Sequence, residues 1–165
     1  MPRPQSPSCL FAMLLCSALG FYSQALAAGV VGTVSRVQNQ AQVGGTTAAV
    51  GTSVRMGDAL QTGANARLEI TFIDDTRLTL GENARVVIDR YVYSPDRSIG
   101  AMALKSTRGA LRFATGKINQ MDQKSVTVST PAAALAVRGT EFWMGPINGH
   151  YGALLLKGKV RVSGR

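Results

Sequence analysis

The stretch TPAAALAVRGTEFWM, Thr130 to Met144, can be read in two ways, and the fold turns on which is right. Its first half suits a short helix. Thr130 carries a capping hydroxyl, Pro131 fits a first helical position, and Gly139 would close the element. Its second half has the period of a strand, with Thr140, Phe142 and Met144 alternating with Glu141 and Trp143. The neighbouring sequence has to decide between them.

Glycine punctuates that neighbouring sequence, and few runs are long enough for a helix. LEITFI places Leu68, Ile70 and Phe72 on one face and Glu69 and Thr71 on the other. After Asp74-Asp75, TRLTL puts Leu78 and Leu80 on one side, so the two runs read as a β-hairpin. An Asp-Asp pair is a weaker turn signal than Asp-Gly, because the second position often needs positive φ. ARVVIDRYVY (84–93) predicts the next strand and SPDRS (94–98) a turn. GVVGTVSRV (29–37), GALRFATG (109–116) and KSVTVST (124–130) add further strands. YGALLLKGKVRVSG (151–164) predicts a terminal hairpin turning near Gly158. Only Ile99 to Ser106 and Pro131 to Val137 could be helical, each for a turn or two. The expected class is all-β: a single domain of many short strands in a sandwich or roll, jelly-roll-like in form.

The N-terminal residues are expected to lie outside this domain. Arg3 is the one charge before an apolar run from Cys9 to Phe21, and Ala25-Leu26-Ala27 has the small-x-small pattern of a signal peptidase site. A signal peptide of residues 1–27, cut before Ala28, is the expectation; the competing reading is an uncleaved anchor. A lipoprotein is disfavoured by Leu15, which stands before Cys16 where a small residue belongs. Cys9 and Cys16 both fall in the signal, so the mature chain of 28–165 has no cysteine for disulfides, thiolate catalysis or metal sites. It is long enough to be held by a core alone.

The formal charge of +9 becomes +8 once Arg3 leaves. Lys157, Lys159 and Arg161 form the densest basic group, and in a strand they project from one face. A positive excess attracts anions, which for an exported protein are envelope polymers and lipid head groups sooner than nucleic acid. A solvated basic surface explains the same residues equally well.

The sequence offers little catalytic chemistry. His150 is the only histidine and sits beside Asn148-Gly149, a hairpin-turn pair. Asp74 and Asp75 are adjacent and read as turn residues. GALRFATGKI has the wrong spacing for a P-loop and places Ile118 where Ser or Thr must hold magnesium. No zinc or calcium spacing occurs. Neither an enzyme nor a cofactor is expected.

Four segments together resemble the FecR-like domain family: VGTVSRVQNQAQV (31–43), VRMGDALQTGANARLEITFIDDTRLTLGENARV (54–86), VSTPAAALAVRGTEFWM (128–144) and GALLLKGKVRV (152–162). The most specific piece is Val137-Arg138-Gly139-Thr140-x-Phe142. Asp75 stands where the family usually has glycine, which weakens a turn. The resemblance implies an all-β domain in which Arg138-Gly139 marks a bend between two extended segments. Gly139 would supply a conformation barred to side chains. Phe142 would plug the core, and Arg138 would brace loops or stand exposed.

Members of that family are regulators of iron-uptake signalling that span the inner membrane, hold a sigma factor with a cytoplasmic segment, and sense an outer-membrane receptor. Eight residues precede the apolar run here, so a stand-alone exported domain without the sigma-binding segment is the expectation. Two roles follow. One is a periplasmic protein-interaction or sensory module whose partner is another envelope protein. The other is binding of anionic envelope polymers through the basic surface at Lys157, Lys159 and Arg161.

Overall fold

The computed structural model describes residues 29–164. The expected signal peptide, its cleavage before Ala28, and Cys9 and Cys16 lie outside those residues.

The described chain is all-β, as expected. Its strands are β1 (Val30–Gln38), β2 (Ala41–Val43), β3 (Thr46–Thr47), β4 (Ser53–Arg55), β5 (Ala59–Thr62), β6 (Arg67–Phe72), β7 (Arg77–Leu80), β8 (Arg85–Ser94), β9 (Ile99–Arg108), β10 (Leu111–Ala114), β11 (Gln123–Ser129), β12 (Ala133–Ile147) and β13 (His150–Gly164). Two single turns of 3₁₀ helix, Pro95–Arg97 and Lys117–Gln120, are the helical elements among the described residues. All strands join one continuous sheet in the order β3-β2-β5-β8-β9-β11-β12-β10-β7-β6-β1-β4, with β13 also on β12. That path is a curled roll rather than two separately bonded sheets. Every pairing is antiparallel except β9 with β11.

The alternation read from the sequence fixes which face curls inward. Leu68, Ile70, Leu78 and Leu80 are fully buried, and the β6–β7 register sets Leu68 across from Leu80 and Ile70 across from Leu78. Phe113 and Phe142 face each other across β10 and β12 with ring centroids 5.5 Å apart. Phe142 is 1% exposed and fills the core as the family pattern implied. Burying each such side chain contributes roughly 1.5–3 kcal/mol.

Three sequence readings fail. Ile99 to Ser106 is strand β9, not helix. It lies between β8 and β11, and Gly100 has Ile118 and Met121 packed where a Cβ would stand. A short apolar run buried among neighbours has no period that separates strand from helix.

Pro131 to Val137 is not helical either. The Thr130 hydroxyl does cap, but it caps a tight turn: it accepts from Ala133 N–H at 3.0 Å and lies 3.0 Å from the Ala133 carbonyl. Pro131 occupies the turn's first central position, and β12 then pairs back along β11. Finally, Gly158 is not a hairpin tip. β13 runs unbroken from His150 to Gly164, and the turn is at Asn148-Gly149, whose φ values of 49° and 80° are those of a two-residue hairpin loop.

Candidate functional site

The opening stretch becomes β12, and its centre explains the Arg-Gly-Thr string. Strand β13 pairs with β12 from Ala133 to Ile147, which occupies one edge of β12 over its whole length. The other edge is shared. Residues 134–137 pair with β11 and residues 141–144 pair with β10. Gly139 and Thr140 lie at the handover, where the sheet turns from one partner to the next.

The register with β13 slips at that point and recovers. Arg138 faces Lys159 and Glu141 faces Lys157, so Gly139 and Thr140 together oppose Gly158. One step later Phe142 faces Leu155, which leaves Leu156 as the extra residue on β13. Two opposed bulges therefore bend the hairpin without flipping its inward side chains. Gly139 has φ 59° and Gly158 φ 87°. A Cβ on Gly158 would fall on the Gly139 carbonyl and 2.9 Å from Thr140 Cα.

Thr140 locks the bulge and is 3% exposed. Its hydroxyl donates to the Lys159 carbonyl at 2.9 Å and accepts from Arg138 N–H at 3.1 Å. The Thr115 hydroxyl donates to the Thr140 carbonyl at 3.0 Å. Val137 and Phe142 point into the core on either side. Arg138 is exposed, and its guanidinium makes no hydrogen bond or ion pair among the described residues. Of the five motif residues, four build the corner and Arg138 faces solvent.

The other family segments are also turn hardware. The Asp58 carboxylate accepts from Arg55 N–H at 2.7 Å beside Gly57, whose φ is 89°. The Thr62 hydroxyl donates to the Gly81 carbonyl at 2.6 Å and accepts from Ala84 N–H at 2.9 Å.

Asp74 was read as a turn residue, and it stands in the turn between β6 and β7. The side chain is fully buried. Its Oδ1 accepts from the Tyr91 hydroxyl at 2.8 Å, and its Oδ2 accepts from the Thr76 hydroxyl at 2.6 Å and from Ile118 N–H at 3.2 Å. One carboxylate thus ties the β6–β7 turn to β8 and to the Lys117–Gln120 turn. Burial first, and the bond to Asp74 second, push the Tyr91 phenol above its ordinary range.

Asp75 takes the left-handed conformation, at φ 64°, and pairs in solvent with Lys117 at 2.8 Å. An exposed pair of this kind adds little, whereas the left-handed conformation costs an ordinary L-residue about 1–2 kcal/mol. Asp75→Gly is therefore expected to hold or raise the thermal midpoint, and a drop of several degrees in a circular-dichroism melt would show that the ion pair matters more than the strain.

Lys157, Lys159 and Arg161 are all exposed on β13. Two of them line one groove with other cations, and the third does not. Lys159 and Arg161 join Arg138 and Lys124 around an open groove of about 510 Å³ between β11, β12 and β13. Lys157 lies outside it, across from Glu141, which is held by Arg112. His150 is exposed beside the hairpin turn. Among the described residues no group of three or more His, Cys, Asp or Glu is gathered as a metal site would need.

The sequence reading overlooked the apolar half of β13. Leu154, Leu155 and Leu156 are 55%, 48% and 50% exposed, in a run with no polar residue between them. Three adjacent leucines were visible in the sequence. Reading the segment as two short strands hid their position in mid-strand.

A family model described as FecR protein matches residues 58–161, from β5 into the last strand. No curated protein matches the chain. A crystal structure of a candidate anti-sigma factor from Parabacteroides distasonis is similar at 18% identity, with a TM-score of 0.48 over 64% of this chain and 47% of its own. The chain spans about half the length of that protein.

Proposed function

The chain belongs to the FecR protein family, and from that premise we propose that it is a non-enzymatic protein-interaction and sensory module of the bacterial periplasm. The observation that carries this reading is the β12–β13 hairpin, which holds Tyr151 and the leucine run Leu154–Leu156 in solvent. Consecutive exposed apolar residues on a folded domain mark surfaces that another molecule covers. Its proposed partner is another envelope protein. In-cell crosslinking of a tagged protein, followed by mass spectrometry, tests the role: discrete envelope partners are expected, and recovery of the protein only as itself would count against it.

A second reading has its own observation. Lys124, Arg138, Lys159 and Arg161 surround one groove and form no ion pair among the described residues, an arrangement suited to an anionic polymer such as a polysaccharide or a lipid head group. Salt separates the two. Polymer binding through several cations weakens steeply with ionic strength, and an apolar protein interface does not.

The periplasmic setting rests on the signal pattern before Ala28. N-terminal sequencing of protein from the envelope fraction is expected to begin at Ala28. Protein beginning at Met1 and pelleting with membranes would establish an anchor instead.

A further inference from the structure

We propose that the open edge of β13 takes up an extended segment of another protein, apolar where it meets Ala153–Leu156 and acidic where it meets Lys157–Arg161. This rests on the protein-interaction reading and specifies its surface and its chemistry.

The edge comes first. β13 spends one edge on β12 along its full length, and its other edge pairs with nothing among the described residues. It is 15 residues long, and such a row of free N–H and C=O groups is a template for another strand. Main-chain bonds to the edge would supply the register, and the side chains on either face would supply the selectivity.

Charge then chooses the occupant. Arg138 and Lys159 stand directly across from each other on adjacent strands, both exposed, and like charges so placed repel. Arg161 follows two residues on, and Lys124 lines the same groove. From Asn148 to Gly164 there is no acid. The nearest, Glu141, is taken by Arg112. A strand added outside β13 would place its side chains in the same cross-strand rows, and Asp or Glu opposite Lys159 would complete a row of three with Arg138. A second copy of this chain brings the same cations and no acid in its own β13. The β13 edge of a second copy therefore cannot supply the acid that the Arg138–Lys159 row lacks, and an acidic segment of another protein can.

The test uses protein purified from the envelope and fluorescent peptides of about ten residues, the span of Ala153 to Val162. One peptide joins an apolar half to alternating Glu and Val, and it is made in both chain directions. A second carries the same side chains with alternate backbone nitrogens methylated, which removes strand pairing and keeps the charge. A third replaces Glu by Lys. Fluorescence anisotropy is expected to show binding of the acidic peptide in one direction only and none of the methylated form. Lys159→Glu should weaken binding roughly three- to tenfold and restore binding of the Lys peptide.

Equal binding of the methylated peptide would overturn the proposal in favour of simple anion binding. A concentration-dependent dimer that Leu155→Lys dissolves would overturn it in favour of a second copy. Absence of binding in both directions would overturn it outright. In-cell crosslinks from some other surface would then preserve the interaction role without the edge, whereas absence of any in-cell crosslink removes both.

Discussion

Asp74→Ala is expected to lower stability by about 3–5 kcal/mol, the most damaging outcome among the side chains considered. The substitution leaves the Tyr91 hydroxyl, the Thr76 hydroxyl and Ile118 N–H without the acceptor they share. Each buried group so orphaned costs about 1–3 kcal/mol. Domains of this kind hold about 5–15 kcal/mol in total, so a large fraction would be lost. Tyr91→Phe should cost much less. It removes one donor, leaves the others on the carboxylate, and keeps the stack on Phe72 at 5.5 Å. Urea unfolding of both variants checks the ranking, and equal losses would mean that the phenol rather than the carboxylate organises the site. The raised ionisation range of Tyr91 has a signed consequence. The folded phenol keeps its proton above the ordinary tyrosine value near ~10, where the unfolded one gives it up. Stability from this group is therefore complete below about pH 10 and declines as pH rises beyond it, a decline that Tyr91→Phe should reduce.

Gly139→Val is expected to damage folding, while Arg138→Ala leaves it intact. At φ 59° a β-branched residue is a steric outlier, and the cost joins the contact with Asn119 Nδ2 at 2.9 Å. Together these amount to about 2–4 kcal/mol. Gly158→Ala should be at least as severe despite its smaller side chain. Asn119 can swing away from residue 139, but the atoms facing residue 158 are backbone of the bulge itself. Arg138 is exposed and without a bonded partner among the described residues, so its truncation should stay within about 0.5 kcal/mol. Thermal melts by circular dichroism decide the set. A wild-type melt for Gly139→Val would mean that the bulge relaxes freely, and a collapse of Arg138→Ala would mean that the guanidinium braces the fold.

The period of two carried most of the architecture. Leu68, Ile70, Leu78 and Leu80 alternate with polar neighbours, and the structure buries all four as the hairpin reading required. Asn148-Gly149 was legible as a turn for the same local reason. Failures came where the deciding contact was distant. Residues 99–106 are strand because β8 and β11 lie on both sides of them, which no local pattern encodes. Gly158 looked like a hairpin tip because glycine permits a turn and a bulge alike, and only its position opposite Gly139-Thr140 separates the two. At Asp74 the local part was readable: an acid two residues before Thr76 is an Asx-type pattern. The bonds from Tyr91 and Ile118 span 17 and 44 residues and were not. The basic groove was hidden for a related reason. Lys159 and Arg161 do share a surface, but it is Arg138 and Lys124, from other strands, that make it a cluster.

The interaction role is tested most directly by position-resolved photo-crosslinking in the cell. A photoreactive residue at position 155, on β13, is compared with one at Val50, which is 67% exposed on the loop before β4. The expected result is a discrete crosslinked protein from position 155, absent from position 50 and diminished by Lys159→Glu. Equal crosslinking from both positions, or none from either, would contradict a role in which this domain meets its partner through the β12–β13 hairpin.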